Sequence, residues 1–101
     1  MGDHPDHHWH LISYDVRDDG RRRKVARLLE GYGERLQYSV FRLHAGNRQV
    51  QRVRWEVARL MADEDDLLCI PLPDTVARGI QTLRGPAEWA AEARPSYVLV
   101  G

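Results

Sequence analysis

The residues with the clearest chemical potential lie between positions 14 and 25. An apolar run ends on the carboxylate of Asp15, and an arginine-rich segment, Arg21–Lys24, follows shortly after it. A carboxylate is a hard oxygen ligand that suits Mg²⁺, and a row of guanidinium groups suits phosphate oxygens. Together they predict a polyanion held beside a metal ion, which is the arrangement used in phosphodiester chemistry.

Each of these groups also has a plain structural interpretation. A carboxylate at the end of a strand often caps a loop. Asp18 and Asp19 are typical of acids that begin a helix, where the helix dipole favours negative charge. The arginine run could be a solvated helix face instead of a phosphate site. The residue pattern alone leaves both interpretations open, for Asp15 and for the arginines.

The charges of the chain are segregated along its length. There are 15 basic and 15 acidic residues, so the formal net charge is zero. Most of the basic residues lie between Arg17 and Arg59, whereas Asp63–Asp66 form an acidic run. Lys24 is the only lysine. The dominance of arginine has two interpretations of equal weight, a role in function and a GC-rich genome. The segregation of sign indicates a polyanionic partner in spite of the neutral total.

Length and composition predict one globular domain. A chain of 101 residues can bury enough surface to fold without covalent cross-links. The single cysteine, Cys69, rules out an internal disulfide and fits a reducing compartment. No apolar run approaches the ~20 residues of a membrane span, and the first ten residues lack the apolar core of a signal peptide. We therefore expect a cytoplasmic protein that does not enter a membrane.

The hydrophobic pattern predicts alternating strands and helices. Residues 1–8 are expected to be a disordered tail, followed by a single domain at 9–101. Residues 9–16 predict a strand, and apolar residues at 25, 28, 29 and 32 predict a helix with Asp19 as its N-cap that ends at Gly31 or Gly33. Further along, the pattern predicts one or two strands at 36–43 with a possible turn at 38–39, a helix from about 50 to 61, a strand at 67–72, an ambiguous segment at 76–83 and a strand at 97–100.

This order predicts an α+β sandwich with two helices on one face of an antiparallel sheet. Residues 11–12 and 67–70 are apolar on both faces of their strands, whereas a sheet with one wet face should alternate. Two helices can cover one face only. We therefore expect the other face to be covered by something else, most simply a second copy of the chain.

Other candidate residues have simpler explanations. Ser39 has no histidine at a suitable spacing, so a serine nucleophile is not expected. His44 is better explained as a loop residue than as a general base, and Cys69 as a small core residue. Trp55 lies off the apolar stripe of the second helix and could mark an interface. A metal-binding tract is one interpretation of the N-terminal histidines, His4, His7, His8 and His10.

The segment from residue 10 to residue 45 resembles the CRISPR-associated protein two (Cas2) family, the small subunit of the spacer-acquisition machinery. The resemblance is close over residues 10–45 and looser elsewhere, where it rests on length and on the order of strands and helices. It is carried by Tyr14-Asp15-Val16, Asp18-Asp19, Arg22, Lys24-Val25, Gly33, Arg35, Gln37 and Ser39-Val40-Phe41.

The resemblance implies a ferredoxin-like βαββαβ fold with an extra C-terminal strand, and a homodimer formed through the sheet faces. The terminal strand at 97–100 would join the partner's sheet. Asp15 would lie near the dimer axis beside its twin, and the pair would hold a divalent cation, Mg²⁺ or another such as Mn²⁺.

The resemblance also implies a metal-dependent endonuclease of CRISPR adaptation that acts on single-stranded RNA or double-stranded DNA and bridges dimers of the Cas1 (Cas-one) integrase. Many family members carry an acid after Ser-Val-Phe, where this chain has Arg42, which weakens the case for hydrolysis and favours binding. The alternatives are a non-catalytic DNA-binding scaffold and a related toxin-type ribonuclease. The residues implied are Asp15 as metal ligand and catalytic group, Tyr14 and Phe41 around it, and Arg17, Arg22, Lys24 and Arg35 on nucleic acid.

Overall fold

The computed structural model describes residues 7–83. Helices and strands follow the sequence pattern closely in this range. The predicted strand at 97–100 lies outside the described residues, as do residues 1–6 of the predicted tail, and His8 of that tail already belongs to a strand. The elements are β1 (His8–Asp15), α1 (Asp19–Glu30), β2 (Glu34–Gln37), β3 (Val40–Ala45), α2 (Asn47–Leu60), β4 (Asp66–Leu72) and α3 (Asp74–Arg78).

The four strands form one antiparallel sheet in the order β2-β3-β1-β4. The central strand β1 pairs with β3 on one side, where Ser13 lies opposite Val40. On the other side it pairs with β4, from Trp9 opposite Leu72 to Asp15 opposite Asp66. This strand order with the element order βαββαβ is the ferredoxin-like arrangement, so the predicted fold class is confirmed.

The ends of α1 are set by local chemistry. The N-cap is Asp18, which has an extended backbone and whose carboxylate accepts a 2.9 Å hydrogen bond from the Arg21 amide. Our choice of Asp19 as N-cap was therefore wrong by one residue, because two adjacent aspartates offer the same signal. The helix ends at Gly31. Gly33 comes next to β3, where a Cβ would lie 2.5 Å from the carbonyl oxygen of Arg42, so this close approach requires glycine.

The core lies between the sheet and the two long helices. On β1 the alternate residues His10, Ile12 and Tyr14 are buried against α1 and α2, so we call this side of the sheet the helix face. The largest fully buried side chains are Phe41, Ile12, Leu29, Leu43, Val25, Val53 and Val57. The α1 and α2 positions among them fall on the predicted stripes, which confirms the helical periodicity.

The opposite side of the sheet, which carries Leu11, Ser13 and Asp15 on β1, is called the open face. Leu68 and Ile70 lie opposite Ser13 and Leu11 on this side and are 57% and 36% exposed. The sheet is thus apolar on both sides, as the strand patterns predicted.

The short helix α3 covers one end of the open face. The Trp9 indole Nε1 donates a 2.8 Å hydrogen bond to Asp74, and Arg42 Nη1 donates one of 2.6 Å to the carbonyl oxygen of Ala77, which is fully buried. The guanidinium groups of Arg42 and Arg78 each lie 5.6 Å from the Trp9 ring centre. Part of the second face is therefore covered by the chain itself, in the segment that the sequence pattern left ambiguous.

Within residues 7–83, no helix combines the length and the apolar character needed to cross a bilayer.

Candidate nucleic-acid interface and metal centre

Asp15 ends β1 on the open face, where its side chain is 72% exposed. It lies directly opposite Asp66, the first residue of β4, so the two carboxylates project from the same side of the sheet. Directly opposed side chains have Cβ atoms about 4.5–5.5 Å apart, and like charges at such positions repel. The Arg17 guanidinium is 3.8 Å from the Asp15 carboxylate and offsets little of this repulsion at so exposed a site. A cation between the two carboxylates would relieve this repulsion.

The donors available fit Mg²⁺ better than a tightly caged metal. Residues 7–83 contain no group of three or more His, Cys, Asp or Glu side chains placed to hold a metal ion. Mg²⁺ in phosphate-processing sites is commonly bound by one or two carboxylates, with waters and substrate phosphates completing the shell. Asp15 and Asp66 meet that requirement, whereas a structural zinc site would need four protein ligands.

A buried acid fixes the loops on either side of this carboxylate pair. The side chain of Asp65 is fully buried and accepts hydrogen bonds from Arg21 Nε at 2.8 Å, the Ala62 amide at 2.8 Å and the Arg17 amide at 2.9 Å. The Arg21 guanidinium, together with the two amides, holds the pKa of Asp65 well below its usual range. Asp65 therefore ties the β1–α1 loop to the α2–β4 loop, immediately beside Asp15 and Asp66.

This contact changes the interpretation of the charge pattern. The basic and acidic runs looked segregated along the chain, but Arg21 reaches both Asp65 and Glu64, the latter at 3.1 Å. Part of the positive charge that predicted a polyanionic partner is thus neutralised inside the fold.

A second cluster forms around the turn between β2 and β3. The carbonyl oxygen of Tyr38 accepts hydrogen bonds from Arg35 Nη2 at 2.7 Å, Arg35 Nε at 3.3 Å and the Tyr14 hydroxyl at 3.3 Å. Arg22 donates to the Val16 carbonyl at 2.9 Å and lies 5.8 Å from the Tyr38 ring centre. Both arginine side chains are partly buried, 25% exposed for Arg22 and 20% for Arg35. They hold the turn against the end of β1 and the start of α1.

Burial of Tyr14 determines what its hydroxyl can do. Loss of solvation raises the pKa of Tyr14 to about 12, since the charged form is disfavoured in the core. The hydroxyl is therefore protonated at neutral pH and acts as a hydrogen-bond donor.

The comparison with known proteins settles the family. Residues 8–78 match the family model described as CRISPR associated protein Cas2.

The chain belongs to the Cas2 family.

Individual Cas2 proteins agree with this assignment. The CRISPR-associated endoribonuclease Cas2 3 of Synechocystis is 41% identical over 59 residues, which are 58% of this chain and 64% of that protein, slightly under two thirds of its length. The crystal structure of Streptococcus pyogenes Cas2 at pH 6.5 matches with a TM-score of 0.67 at 26% identity, over 74% of this chain and 98% of that one. A chain of a partial Cas6-RT-Cas1–Cas2 complex matches with a TM-score of 0.64 at 26% identity, over 78% and 88% of the two chains.

The site residues expected for a Cas2 protein fall into separate places. Asp15 projects from the open face with Arg17 beside it, whereas Tyr14 projects to the helix face. Phe41 is fully buried, with its ring 6.2 Å from that of Tyr14. Lys24 is exposed on α1. The structure thus brings Tyr14, Phe41, Arg22 and Arg35 together around Tyr38, and it leaves Asp15 outside this group.

Sequence reasoning missed the contacts of three residues that shape these sites. Asp66 was read as one acid of a run, and only the strand register reveals it as the neighbour of Asp15. Tyr38 was noted only as a turn position, and its role depends on a carbonyl oxygen that no side-chain pattern reports. Arg42, the departure from the Cas2 pattern, pairs with Glu34 and supports α3, so its charge is largely used within the fold.

Proposed function

We propose that two copies of this chain form a nucleic-acid-binding component of CRISPR adaptation, with a Mg²⁺-dependent endonuclease site centred on Asp15. The position of Asp15 carries the proposal, because this carboxylate is exposed at the end of the central strand, on the open face and opposite Asp66. The Synechocystis relative is named an endoribonuclease, which supports the activity. The likeness to a chain of a Cas1–Cas2 complex supports the Cas1 integrase as a partner.

The homodimer in this proposal would use the open face. Leu68 and Ile70 are exposed there although they lie within a strand of the sheet. A contiguous exposed apolar patch marks an interaction surface, and a permanent dimer commonly buries more than ~2,000 Å². Docking two open faces about a twofold axis gives each Asp15 a twin in the second copy, as the family resemblance implies.

The chemistry assigned to the chain's own residues is simple. The Asp15 and Asp66 carboxylates would hold the cation, and Asp65 would keep their loops in place through its bonds to Arg21 and to the Arg17 amide. Mg²⁺, when bound, would supply a water of lowered pKa and would stabilise negative charge on the phosphate. Neutral Tyr14 would take no part in proton removal at neutral pH, since its pKa is about 12.

Phosphate oxygens would be contacted first by cations that the fold leaves exposed. Arg17, next to Asp15, has a side chain that is 65% exposed, and Lys24 lies exposed on α1. Arg22 and Arg35 were also expected to bind nucleic acid, but their guanidinium groups already hold the β2–β3 turn. We therefore assign the phosphate contacts of this region to Arg17 and Lys24.

A non-catalytic scaffold is the second candidate, and Arg42 favours it. Many Cas2 proteins have an acid at this position, whereas here a cation pairs with Glu34. The chain then offers fewer carboxylates to a metal while it keeps its exposed cations. A scaffold needs the cations and the Cas1 contact and can lose Asp15 without loss of function.

A cleavage assay separates the two candidates. End-labelled single-stranded RNA and duplex DNA are incubated with the wild-type protein in Mg²⁺, in Mn²⁺ and in EDTA. Asp15→Asn should abolish metal-dependent cleavage and retain binding, whereas the matched control Glu64→Gln, at an exposed acid of the α2–β4 loop, should cleave like the wild type. Cleavage by Asp15→Asn at the wild-type rate would refute the catalytic role of Asp15. Binding without any cleavage by the wild type would favour the scaffold.

A further inference from the structure

The outer surface of α2 carries an unusual row of side chains. Arg48, Arg52, Trp55 and Arg59 are spaced by four, three and four residues, which places them on one side of a helix. All four are exposed, and they lie opposite the buried residues of the same helix. We call this row the α2 stripe. It lies on the outer side of the helix layer, whereas Asp15 projects from the open face of the sheet.

The charge of α2 is poorly balanced. The helix contains four arginines and one glutamate, and its first turn has no acidic residue. Arg48 lies in that first turn, where the positive end of the helix dipole disfavours a cation. Arg48 and Arg59 make no ion pair within residues 7–83, whereas Arg52 pairs with Glu56 at 3.2 Å but keeps a side chain that is 71% exposed. A face that served solvation alone would have no reason to place an arginine at the unfavourable end of the helix.

Trp55 adds an aromatic surface to this row of charges. Its side chain is 59% exposed, and the Arg59 guanidinium lies 4.8 Å from its ring centre. The ring also borders a groove of about 570 Å³ that Ala58 and Met61 help to line. Asp63 and Asp66 line the same groove, and carboxylates there repel phosphate but accept hydrogen bonds from amino groups. The groove therefore suits a nucleobase, while the arginines suit the backbone.

We propose that the α2 stripe binds single-stranded nucleic acid, with Arg48, Arg52 and Arg59 on phosphates and Trp55 as a stacking platform for an unpaired base. Base–aromatic stacking beside a positively charged track is the general mode of single-strand binding. A duplex keeps its base faces stacked and offers nothing to Trp55. This inference rests on the proposed nucleic-acid-binding function and adds to it a second surface, on the outer face of α2, whose groove reaches Asp66 beside Asp15.

Fluorescence anisotropy tests the stacking contact. Labelled single-stranded RNA, single-stranded DNA and duplex DNA are titrated with the wild type and with Trp55→Leu. Loss of one stacked base should weaken single-strand binding roughly five- to 150-fold and leave duplex binding nearly unchanged. Trp55→Phe, which keeps an aromatic ring, should recover most of the affinity. The two single-strand probes show whether the surface prefers RNA or DNA.

The salt dependence tests the arginines. Arg48→Gln and Arg59→Gln should each flatten the plot of log affinity against log salt by about 0.7 on a single strand. Arg27→Gln removes the same charge from an exposed position of α1 that does not line the groove, and it should leave the slope unchanged. Equal behaviour of all three variants, or wild-type affinity in Trp55→Leu, would overturn this inference while the proposed function stands. Loss of Cas1 binding alone would assign the stripe to a protein partner and would also overturn it. A wild type that binds no nucleic acid would refute both this inference and the proposed function.

Discussion

Replacing Arg35 by alanine should lower the stability of the fold and leave the salt dependence of nucleic-acid binding unchanged. Arg35 donates two hydrogen bonds to the Tyr38 carbonyl, at 2.7 and 3.3 Å, and lies 5.3 Å from the Tyr38 ring centre. A hydrogen bond from a charged donor contributes about 1.5–3 kcal/mol, and the ring contact adds about 0.5–1 kcal/mol. The 3.5 Å pair with Glu30 is solvent-screened and adds little. The loss should therefore be about 2–4 kcal/mol in the free energy of unfolding.

Thermal unfolding followed by circular dichroism measures this loss. In a domain of this size, 1 kcal/mol shifts the Tm by about 4–8 °C, so Arg35→Ala should melt roughly 8–30 °C below the wild type. The same variant is then titrated with duplex DNA over a range of salt concentrations, below its melting temperature. Lys24→Ala is the matched control, because Lys24 is exposed on α1. It should keep the wild-type Tm and lose about 0.9 in the salt slope.

The opposite result would refute this reasoning. If Arg35→Ala melts within about 2 °C of the wild type and loses about 0.9 in the salt slope, Arg35 is a phosphate ligand. In that case its contacts with Tyr38 would contribute no measurable stability.

Three further results are expected. Tyr14 has a pKa raised by burial to about 12, so the stability that depends on its protonated form is complete below its unfolded pKa and is lost as pH rises from about 10 towards 12. Tyr14→Phe should therefore show a smaller decrease in urea midpoint over that range, and an identical decrease would contradict the assignment. Gly33→Ala should lower the free energy of unfolding in urea by about 1–3 kcal/mol, because the new Cβ would lie 2.5 Å from the Arg42 carbonyl oxygen. Gly31→Ala is the control and should lose less, because its Cβ would lie 3.4 Å from the Leu28 carbonyl oxygen. Replacing both Leu68 and Ile70 by lysine should convert the proposed dimer to a monomer in sedimentation velocity, and an unchanged sedimentation coefficient would rule out the open face as the interface.

The order of the long elements could be predicted because their patterns are strongly periodic. The stripe that includes Val25 and Leu29 specifies a helix by itself, and the turn at Tyr38 appeared where two strand patterns meet. The N-cap was misplaced by one residue because Asp18 and Asp19 carry the same chemical signal. The short helix α3 could not be predicted, since its burial depends on Trp9 and Arg42, which lie far away along the chain.

Part of the candidate site could also be predicted from local sequence patterns. Strand alternation, which is a local property, places Asp15 on the same face of β1 as Leu11 and Ser13. The partners of the arginines are not local, because Arg21 meets Asp65 across 44 positions. A run of charges indicates how much charge is present in a segment, but which charges remain free depends on the tertiary structure. The resemblance implied nucleic-acid contacts for Arg22 and Arg35, and only the structure shows that they also donate hydrogen bonds to the Val16 and Tyr38 carbonyl oxygens.

The acidic run Asp63–Asp66 has a consequence for protein engineering. Its members share a charge but not an environment: Asp63 and Glu64 are exposed, Asp65 is fully buried and Asp66 begins a strand. Exchanging the identities of positions 64 and 65 would leave the isoelectric point and the composition of the chain untouched, yet it would force the longer glutamate into a space shaped for aspartate. Variants designed on surface charge alone would treat the four positions as equivalent. A library that keeps Asp65 fixed and varies its neighbours should yield far more folded protein than one that randomises the whole run.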